Sequence, residues 1–262
     1  MVLLSFLVVT GCSRRDILDD YPVSGVEVRL DWSGVTEKLP EGVRIIFYPK
    51  DEKGRKIDTY LSVTGGEVKV PSGHYAVVIY NYDTETVLIR GEESYETIQA
   101  YTNFCKLGIA GTEKMVWGPD PLYVVNIDDL DIQNSEETLI LKLKPKLVIR
   151  TYSFSIKVQG LSNVSNVIGS IGGMADHYFL GKAYAMCDDY PINIDLNVKA
   201  GKIEGVFTTF GLPEAIITRL EIKLPVMMNL MIIKVDNSVQ EVKINITEAV
   251  QEPTGGGEGG EG

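Results

Sequence analysis

Apolar and polar residues alternate along most of this chain, a pattern that predicts β-strands. At the start of the pattern, Val26, Val28, Leu30 and Trp32 alternate with Glu, Arg and Asp, as in a strand with one buried face. Residues 75–80 are apolar on both faces, which predicts a strand in the interior of a sheet. The same reasoning predicts further strands at 43–48, 67–70, 139–144, 151–158, 192–199, 220–224, 230–235 and 242–246.

One stretch has helical spacing instead. Leu161, Val164, Ile168 and Ile171 recur at intervals of three or four residues, as on one face of a helix. Ser162 is a residue type that caps helix N-termini. We therefore expect one short helix or helical turn here.

Many short strands with polar turns and almost no helix predict an all-β fold built from β-sandwiches. Pro145 interrupts the alternation, and a new alternating series starts directly after it. We therefore predict two sandwich domains in tandem, residues 25–145 and 146–250. The segment 251–262 is dominated by Gly and Glu, a composition typical of disorder.

Composition limits the class of partner. The chain is 44% hydrophobic and 8% aromatic, which is enough to build folded cores, and its formal net charge is -11. Binding to nucleic acid depends on clustered Lys and Arg that neutralise phosphates. Nucleic acid is therefore not an expected partner.

The N-terminal segment resembles a bacterial lipoprotein signal. An apolar run from Val2 to Thr10 ends in Gly11-Cys12, and it is about half the length of a membrane-spanning helix. The resemblance implies cleavage after Gly11 and acylation of Cys12, with 1–11 as signal peptide and 12–24 as a tether. No Lys or Arg precedes the apolar run, so we expect the natural start codon to lie upstream.

Residues after Cys12 indicate the destination. Ser13 stands where an aspartate would retain a lipoprotein in the inner membrane, and Asp16, Asp19 and Asp20 resemble the acidic tract of surface-exported lipoproteins. We therefore expect the protein at the outer membrane, held by its lipid and exposed on the cell surface. The sequence leaves open which face of that membrane it occupies.

Known catalytic patterns are missing from the sequence. Its two histidines are His74, at a predicted strand edge, and His177, in a predicted loop. The chain contains no His-Glu-x-x-His, no Gly-x-Ser-x-Gly and no Cys-x-x-Cys, the patterns of zinc proteases, serine hydrolases and thiolate metal sites. We therefore predict a protein that is not an enzyme and that has no metal site and no cofactor.

Two cysteines remain after lipidation, Cys105 and Cys187. In an oxidising compartment they could pair. If each lies in its own domain, we expect two buried thiols that are not bridged to each other.

Three features together resemble the fimbrillin-like surface lipoproteins of Gram-negative gut and oral anaerobes. The first is the lipoprotein signal at Cys12. The second is 71–81, PSGHYAVVIYN, which is similar to a turn-Gly-x-Tyr strand of that family ending in Tyr-Asn. The third is Gly-Leu at 160–161 followed by IGGMA at 171–175, which is similar to a segment of the family's second domain.

The resemblance implies two transthyretin-like β-sandwiches on a lipid anchor, acting in fimbrial assembly or adhesion with other surface or fimbrial proteins as partners. Shaft subunits of this family are cleaved after an arginine that frees the first strand, and they polymerise by strand exchange. Here Arg14 and Arg15 lie next to the lipid site, Arg29 lies inside an alternating strand, and 251–262 lacks the alternating apolar residues of a donor strand. We therefore predict a non-catalytic accessory or anchor subunit.

A second function stays open, that of a glycan-binding lipoprotein in a polysaccharide-uptake system, with host or glycan ligands. It requires exposed aromatic rings for stacking against sugars. Trp117, in the loop WGPDP, is the candidate, whereas Trp32 lies on the apolar face of its strand and is predicted to be core. Exposure of the aromatic side chains distinguishes the two functions.

Overall fold

The computed structural model describes residues 23–51, 54–105, 114–188, 190–199, 201–214 and 225–251. Within these ranges the chain is almost entirely β-strand and forms three sheets, so the all-β prediction is confirmed. The expectations for Cys12, for 220–224 and for the tail after 251 lie outside the described residues. No helix in the described ranges is long and apolar enough to cross a membrane.

The first sheet has eight strands. In chain order they are β1 (Val23–Leu30), β2 (Gly42–Pro49), β3 (Ile57–Ser62), β4 (Gly65–Pro71), β5 (Gly73–Asn81), β8 (Tyr123–Ile132), β9 (Leu139–Leu143) and β10 (Lys146–Leu147). Their order across the sheet is β10-β8-β5-β2-β3-β4-β1-β9. Neighbours are antiparallel except β1 and β9, which are parallel.

Strands β2 and β5 are buried on both faces. One face, with Ile45, Phe47 and Val77, belongs to a core enclosed by the eight-stranded sheet itself. The opposite face, with Ile46 and Val78, belongs to a second core. The prediction that 75–80 forms an interior strand is therefore confirmed.

A four-stranded sheet covers this second face. Its strands are β6 (Val87–Arg90), β7 (Gln99–Thr102), β13 (His177–Phe179) and β14 (Tyr184–Met186), in the order β14-β13-β7-β6. The second core contains Ile46 and Val78 from the large sheet, Ala100 from β7 and Ile98 from the turn before it. This shared core holds the two sheets together.

The third sheet has six strands: β11 (Arg150–Lys157), β12 (Val164–Gly172), β15 (Ile192–Lys199), β16 (Lys202–Thr209), β17 (Met227–Lys234) and β18 (Val239–Asn245), in the order β11-β16-β15-β12-β17-β18. A short helix, α1 (Thr247–Gln251), follows. Their core includes Ile171, Ile194 and Phe207. The strands predicted at 151–158, 192–199, 230–235 and 242–246 lie here.

Of the expected short helix or helical turn, the structure contains a single turn. A 3-10 turn spans Leu161–Asn163, with Gly160 rather than Ser162 at its N-cap position. Val164 already begins β12, which pairs with β15 and β17. Ile168 and Ile171 are therefore strand residues between two neighbours, and sheet pairing overrides their helical spacing.

Strands from before and after Pro145 pair with each other in the same sheets. Directly after Pro145, β10 pairs with β8, and β13 pairs with β7 further along the chain. The eight- and four-stranded sheets thus contain segments from both sides of Pro145. The division into domains 25–145 and 146–250 stays a prediction.

Cys105 and Cys187 are not bridged to each other, as predicted. Cys105 is buried, whereas Cys187 is half-buried. Burial raises the pKa of the Cys105 thiol, so this side chain behaves as a small apolar core residue at neutral pH.

We expect Ile98→Ala to destabilise the protein by about 2–5 kcal/mol, because it opens a cavity in the core shared by the eight- and four-stranded sheets. Ile98 is fully buried. Urea denaturation followed by circular dichroism measures the change. Ile140→Ala is the control, since Ile140 is 46% exposed. Equal losses in the two variants would contradict the shared core.

Candidate functional site

The two histidines lie apart in different settings. His74 is exposed at the start of β5, where its Nδ1 lies 3.2 Å from Asp129 Oδ1. Lys50 Nζ lies 3.2 Å from the same oxygen. The pKa of Asp129 lies below its ordinary value. The largest cause is the hydrogen bond from Lys50, and the hydrogen bond from His74 is the second. This is a solvated ion cluster, of a kind that contributes little to stability.

The prediction that His177 lies in a loop is wrong. It lies in β13 and is buried. Its Nδ1 is 2.6 Å from Asp176 Oδ1 and 3.9 Å from Asp188 Oδ2. These three residues form the Asp176 cluster, whose ligand atoms lie within 4.8 Å of one another.

The Asp176 carboxylate holds a neighbouring segment of backbone in place. Its Oδ2 accepts hydrogen bonds from the backbone N–H groups of Asp188 at 2.9 Å and Tyr190 at 3.3 Å, while its Oδ1 faces His177. Both carboxylate oxygens therefore have partners. Buried carboxylates are stable when they are satisfied in this way.

The Asp176 cluster has donor atoms of the kind that bind zinc. However, Arg90 Nη2 lies 3.9 Å from Asp188 Oδ2, and this positive charge opposes a cation at the same carboxylate. The geometry supports a structural clamp between β13 and the segment after β14. Sequence reasoning missed the cluster because Asp188 comes from a segment 12 residues after Asp176, with no motif spacing.

A cleft of about 660 Å³ lies between the eight-stranded sheet and the turns of the four-stranded sheet. Tyr95 Oη donates to Asp128 Oδ1 at 2.8 Å across this cleft, and burial, the largest cause, raises the pKa of Tyr95. Lys56 lies over the Tyr48 ring and Lys182 over the Tyr95 ring, at 5.5 and 5.3 Å. Since the Tyr48 and Tyr95 rings are both buried, the cleft does not offer them for stacking.

Trp117, the predicted stacking residue, is 37% exposed. Its backbone is fixed by β7: the carbonyl accepts from Thr102 Oγ1 at 2.6 Å and the N–H donates to Asn103 O at 3.1 Å. Within the described ranges, the aromatic ring pairs include none that involves Trp117. Its role in stacking stays a prediction.

Trp32 is half-buried and packs against the core enclosed by the eight-stranded sheet. Its Nε1 donates to Val63 O at 2.6 Å, and its ring meets Tyr123 edge to face at 5.3 Å. Trp32 therefore lies at the margin of the core and just beyond the end of β1 rather than inside the core as expected, with its indole N–H satisfied.

The sequence matches the family model described as a domain of unknown function, DUF5119, over residues 11–195. A Bacteroides ovatus protein named "Putative fimbrium anchoring subunit Fim4B" is 51% identical to it over 273 residues. That alignment covers 100% of this chain and 82% of the relative.

Solved structures share the fold. A crystal structure described as a "putative adhesin" from Bacteroides ovatus superposes with a TM-score of 0.82 and 52% identity, covering 92% of this chain and 89% of that one. The fimbrial anchor protein Mfa2 from Porphyromonas gingivalis superposes with a TM-score of 0.58 at 12% identity, covering 87% of this chain and 83% of that one.

Replacing the buried carboxylate tests the clamp. We expect Asp176→Ala to destabilise the protein by about 1–3 kcal/mol, because it removes the partner of the buried His177 ring and the acceptor of two partly buried backbone N–H groups. Asp188→Ala is the matched control, since the Asp188 side chain is 53% exposed, and it should change stability by less than about 0.5 kcal/mol. Thermal denaturation measures both, and a larger loss in the Asp188 variant would contradict the clamp.

Proposed function

We propose a fimbrial anchoring role for this chain, which belongs to the DUF5119 family. The observation that carries the proposal is the 51% identity, over all of this chain, to the protein named as a fimbrium anchoring subunit. The fold shared with Mfa2 is consistent with it. The function is that of a non-catalytic accessory or anchor subunit at the cell surface, whose partners are other fimbrial proteins.

The position of β1 supports an anchor rather than a polymerising shaft. β1 is hydrogen-bonded on both sides, antiparallel to β4 and parallel to β9. Arg29 pairs with Gly65 on one side and with Lys142 on the other. A protease that cuts after Arg29 needs an extended, unpaired backbone, so this arginine is protected as long as the sheet stays intact.

Close packing at Gly65 adds to this protection. A Cβ at Gly65 would lie 2.0 Å from Val28 O, and its φ of 103° is in the region that favours glycine. The β4 backbone therefore lies directly against β1. Such a first strand stays with its subunit instead of leaving it to open a groove.

We further propose that Cys12 carries the lipid that holds the subunit at the outer membrane. The lipoprotein-like sequence ending in Gly11-Cys12 supports this. Acyl chains contribute about 0.8 kcal/mol per buried methylene, and more than one chain gives stable anchoring. The 11 residues from 12 to 22 reach at most about 40 Å when fully extended, which keeps β1 close to the membrane surface.

The surroundings of His74 and His177 give no support for catalysis. The buried Asp176–His177 pair is satisfied by backbone donors, and His74 is exposed beside a lysine. A catalytic base needs a nucleophile or substrate proton within reach and an orienting partner. We propose that the protein acts through binding and tethering alone.

Lipidation is tested in the cells that naturally make the protein. We expect wild-type protein to incorporate a clickable palmitate and to fractionate with the outer membrane, whereas Cys12→Ala loses both properties because it lacks the acylated thiol. Fimbriae of the Cys12→Ala cells should appear in the medium, as quantified by immunoblot and electron microscopy.

The control is Cys105→Ala, which removes a buried thiol and should keep the label and the attached fimbriae. Label retained on Cys12→Ala would contradict the lipid site. Fimbriae that stay attached to Cys12→Ala cells would contradict the anchoring role.

A further inference from the structure

A pair of exposed tyrosines lies on the eight-stranded sheet, beside the free edge of the four-stranded sheet. Tyr60 on β3 is 60% exposed and Tyr82, just after β5, is 44% exposed. Their ring centroids are 5.2 Å apart and their planes meet at 88°. Together with the end strand β6 they line a groove of about 330 Å³, here called the Tyr60–Tyr82 groove.

The Tyr82 ring packs against Gly42, where a larger residue would leave no room for it. A Cβ at Gly42 would lie 2.8 Å from Tyr82 Oη and 3.0 Å from its Cε1. The ring therefore lies directly on the backbone at the start of β2. Asp83 Oδ2, from the residue after Tyr82, accepts the backbone N–H of Glu41 at 2.9 Å. A Cβ at Gly42 would also lie 2.8 Å from the backbone oxygen of Leu61 on β3.

Arg44 forms the floor of the groove. It pairs in register with Tyr60 on one side and Tyr80 on the other, and its guanidinium lies 5.8 and 5.9 Å from their ring centres. Its Nε and Nη2 donate to the two oxygens of Asp58 at 2.9 and 2.8 Å, and its Nη1 donates to Tyr80 Oη at 2.8 Å and to Glu92 Oε1.

This network neutralises the guanidinium. Hydrogen bonds to Asp58, the largest cause, raise the pKa of Arg44, and the same bonds lower the pKa of Asp58. Lys56 Nζ lies 3.8 Å from Asp58 Oδ2, so two positive charges face the two carboxylates and the charges at the groove floor balance. Because Arg44 and Lys56 are both paired with carboxylates, the floor does not favour an anionic ligand, and the net charge of -11 on the protein disfavours one.

We propose that the Tyr60–Tyr82 groove binds a neutral saccharide. The exposed ring faces provide apolar area for the C–H face of a pyranose. Tyrosine hydroxyls and the Arg44–Glu92 network provide a few fixed polar groups for sugar hydroxyls, as ligand sites do. A volume of 330 Å³ is at the small end of the range for ligand sites, about 300–1,000 Å³, so the groove accommodates the end of a sugar chain.

This activity goes beyond the anchoring role and does not depend on it. It also differs from stacking at Trp117, because Trp117 lies in a loop, whereas Tyr60 lies on β3 and Tyr82 follows β5. Loss of saccharide binding would leave fimbrial attachment unchanged, and failure of the anchoring role would leave the groove intact.

Saturation-transfer NMR on the full chain tests the proposal. The probes are neutral trisaccharides (maltotriose, mannotriose and galactotriose), 3'-sialyllactose as an acidic sugar, and a proline-rich decapeptide. We expect saturation transfer to at least one neutral trisaccharide and none to the other two probes. Tyr60→Ala and Tyr82→Ala should each weaken binding about tenfold, because each removes one stacking surface.

Three further variants separate the site from its alternatives. Gly42→Ala should weaken binding, because the added methyl group collides with both the Leu61 backbone of β3 and the Tyr82 ring. Tyr60→Phe should retain most of the binding. Phe104→Ala is the matched control, since Phe104 is an exposed aromatic residue away from the groove, and its binding should equal wild type. Circular dichroism confirms that each variant is folded.

Several outcomes would overturn the proposal. They are no binding of any neutral probe, binding of the peptide or the acidic sugar alone, and binding that is lost in Trp117→Ala but kept in both tyrosine variants.

Discussion

The burial of β2 and β5 on both faces is the constraint on which the rest of the structure depends. A strand pair that is apolar on both faces must be covered on both faces, because exposing that apolar area to water is costly. The eight-stranded sheet encloses one face with its own outer strands, and the four-stranded sheet covers the other. The four-stranded sheet therefore completes the second core. Its strands have only three or four residues and would not be stable without that core.

Burial on one or both faces also determines which strands can be predicted from the sequence. Alternation located β1, β4, β9 and β11, because a strand with one buried face leaves a period of two in the sequence. The run at 75–80 gave the interior strand for the related reason. The four-stranded sheet could not be predicted, since its strands are too short for any period to appear. At 161–171 a helical spacing proved misleading, because pairing of β12 with β15 and β17 decides its conformation.

Functional residues were harder to predict than strands. The proposed lipidation of Cys12 rests on a sequence signal, because such signals are linear segments. The Asp176 cluster and the Tyr60–Tyr82 groove have none, because they bring together residues that are distant in sequence through sheet register. Tyr60 and Arg44 become neighbours only when β3 pairs with β2, and Tyr82 reaches them only because Gly42 has no side chain. Exposed tyrosines in a sequence are indistinguishable from buried ones until the register is known.

The double-sided pairing of β1 also has a mechanical meaning. A subunit tethered through residues just before β1 receives any pull from its surroundings at the first residue of that strand. Tension along the strand axis loads the ladders to β4 and β9 in shear, so that their hydrogen bonds resist together instead of opening one after another. The time for which a folded subunit withstands a pulling force depends on its rate of forced unfolding and not on its equilibrium free energy of unfolding. The arrangement of β1 therefore suits a fimbrial anchor subunit that is pulled at its first strand while fluid flow drags on the fimbria.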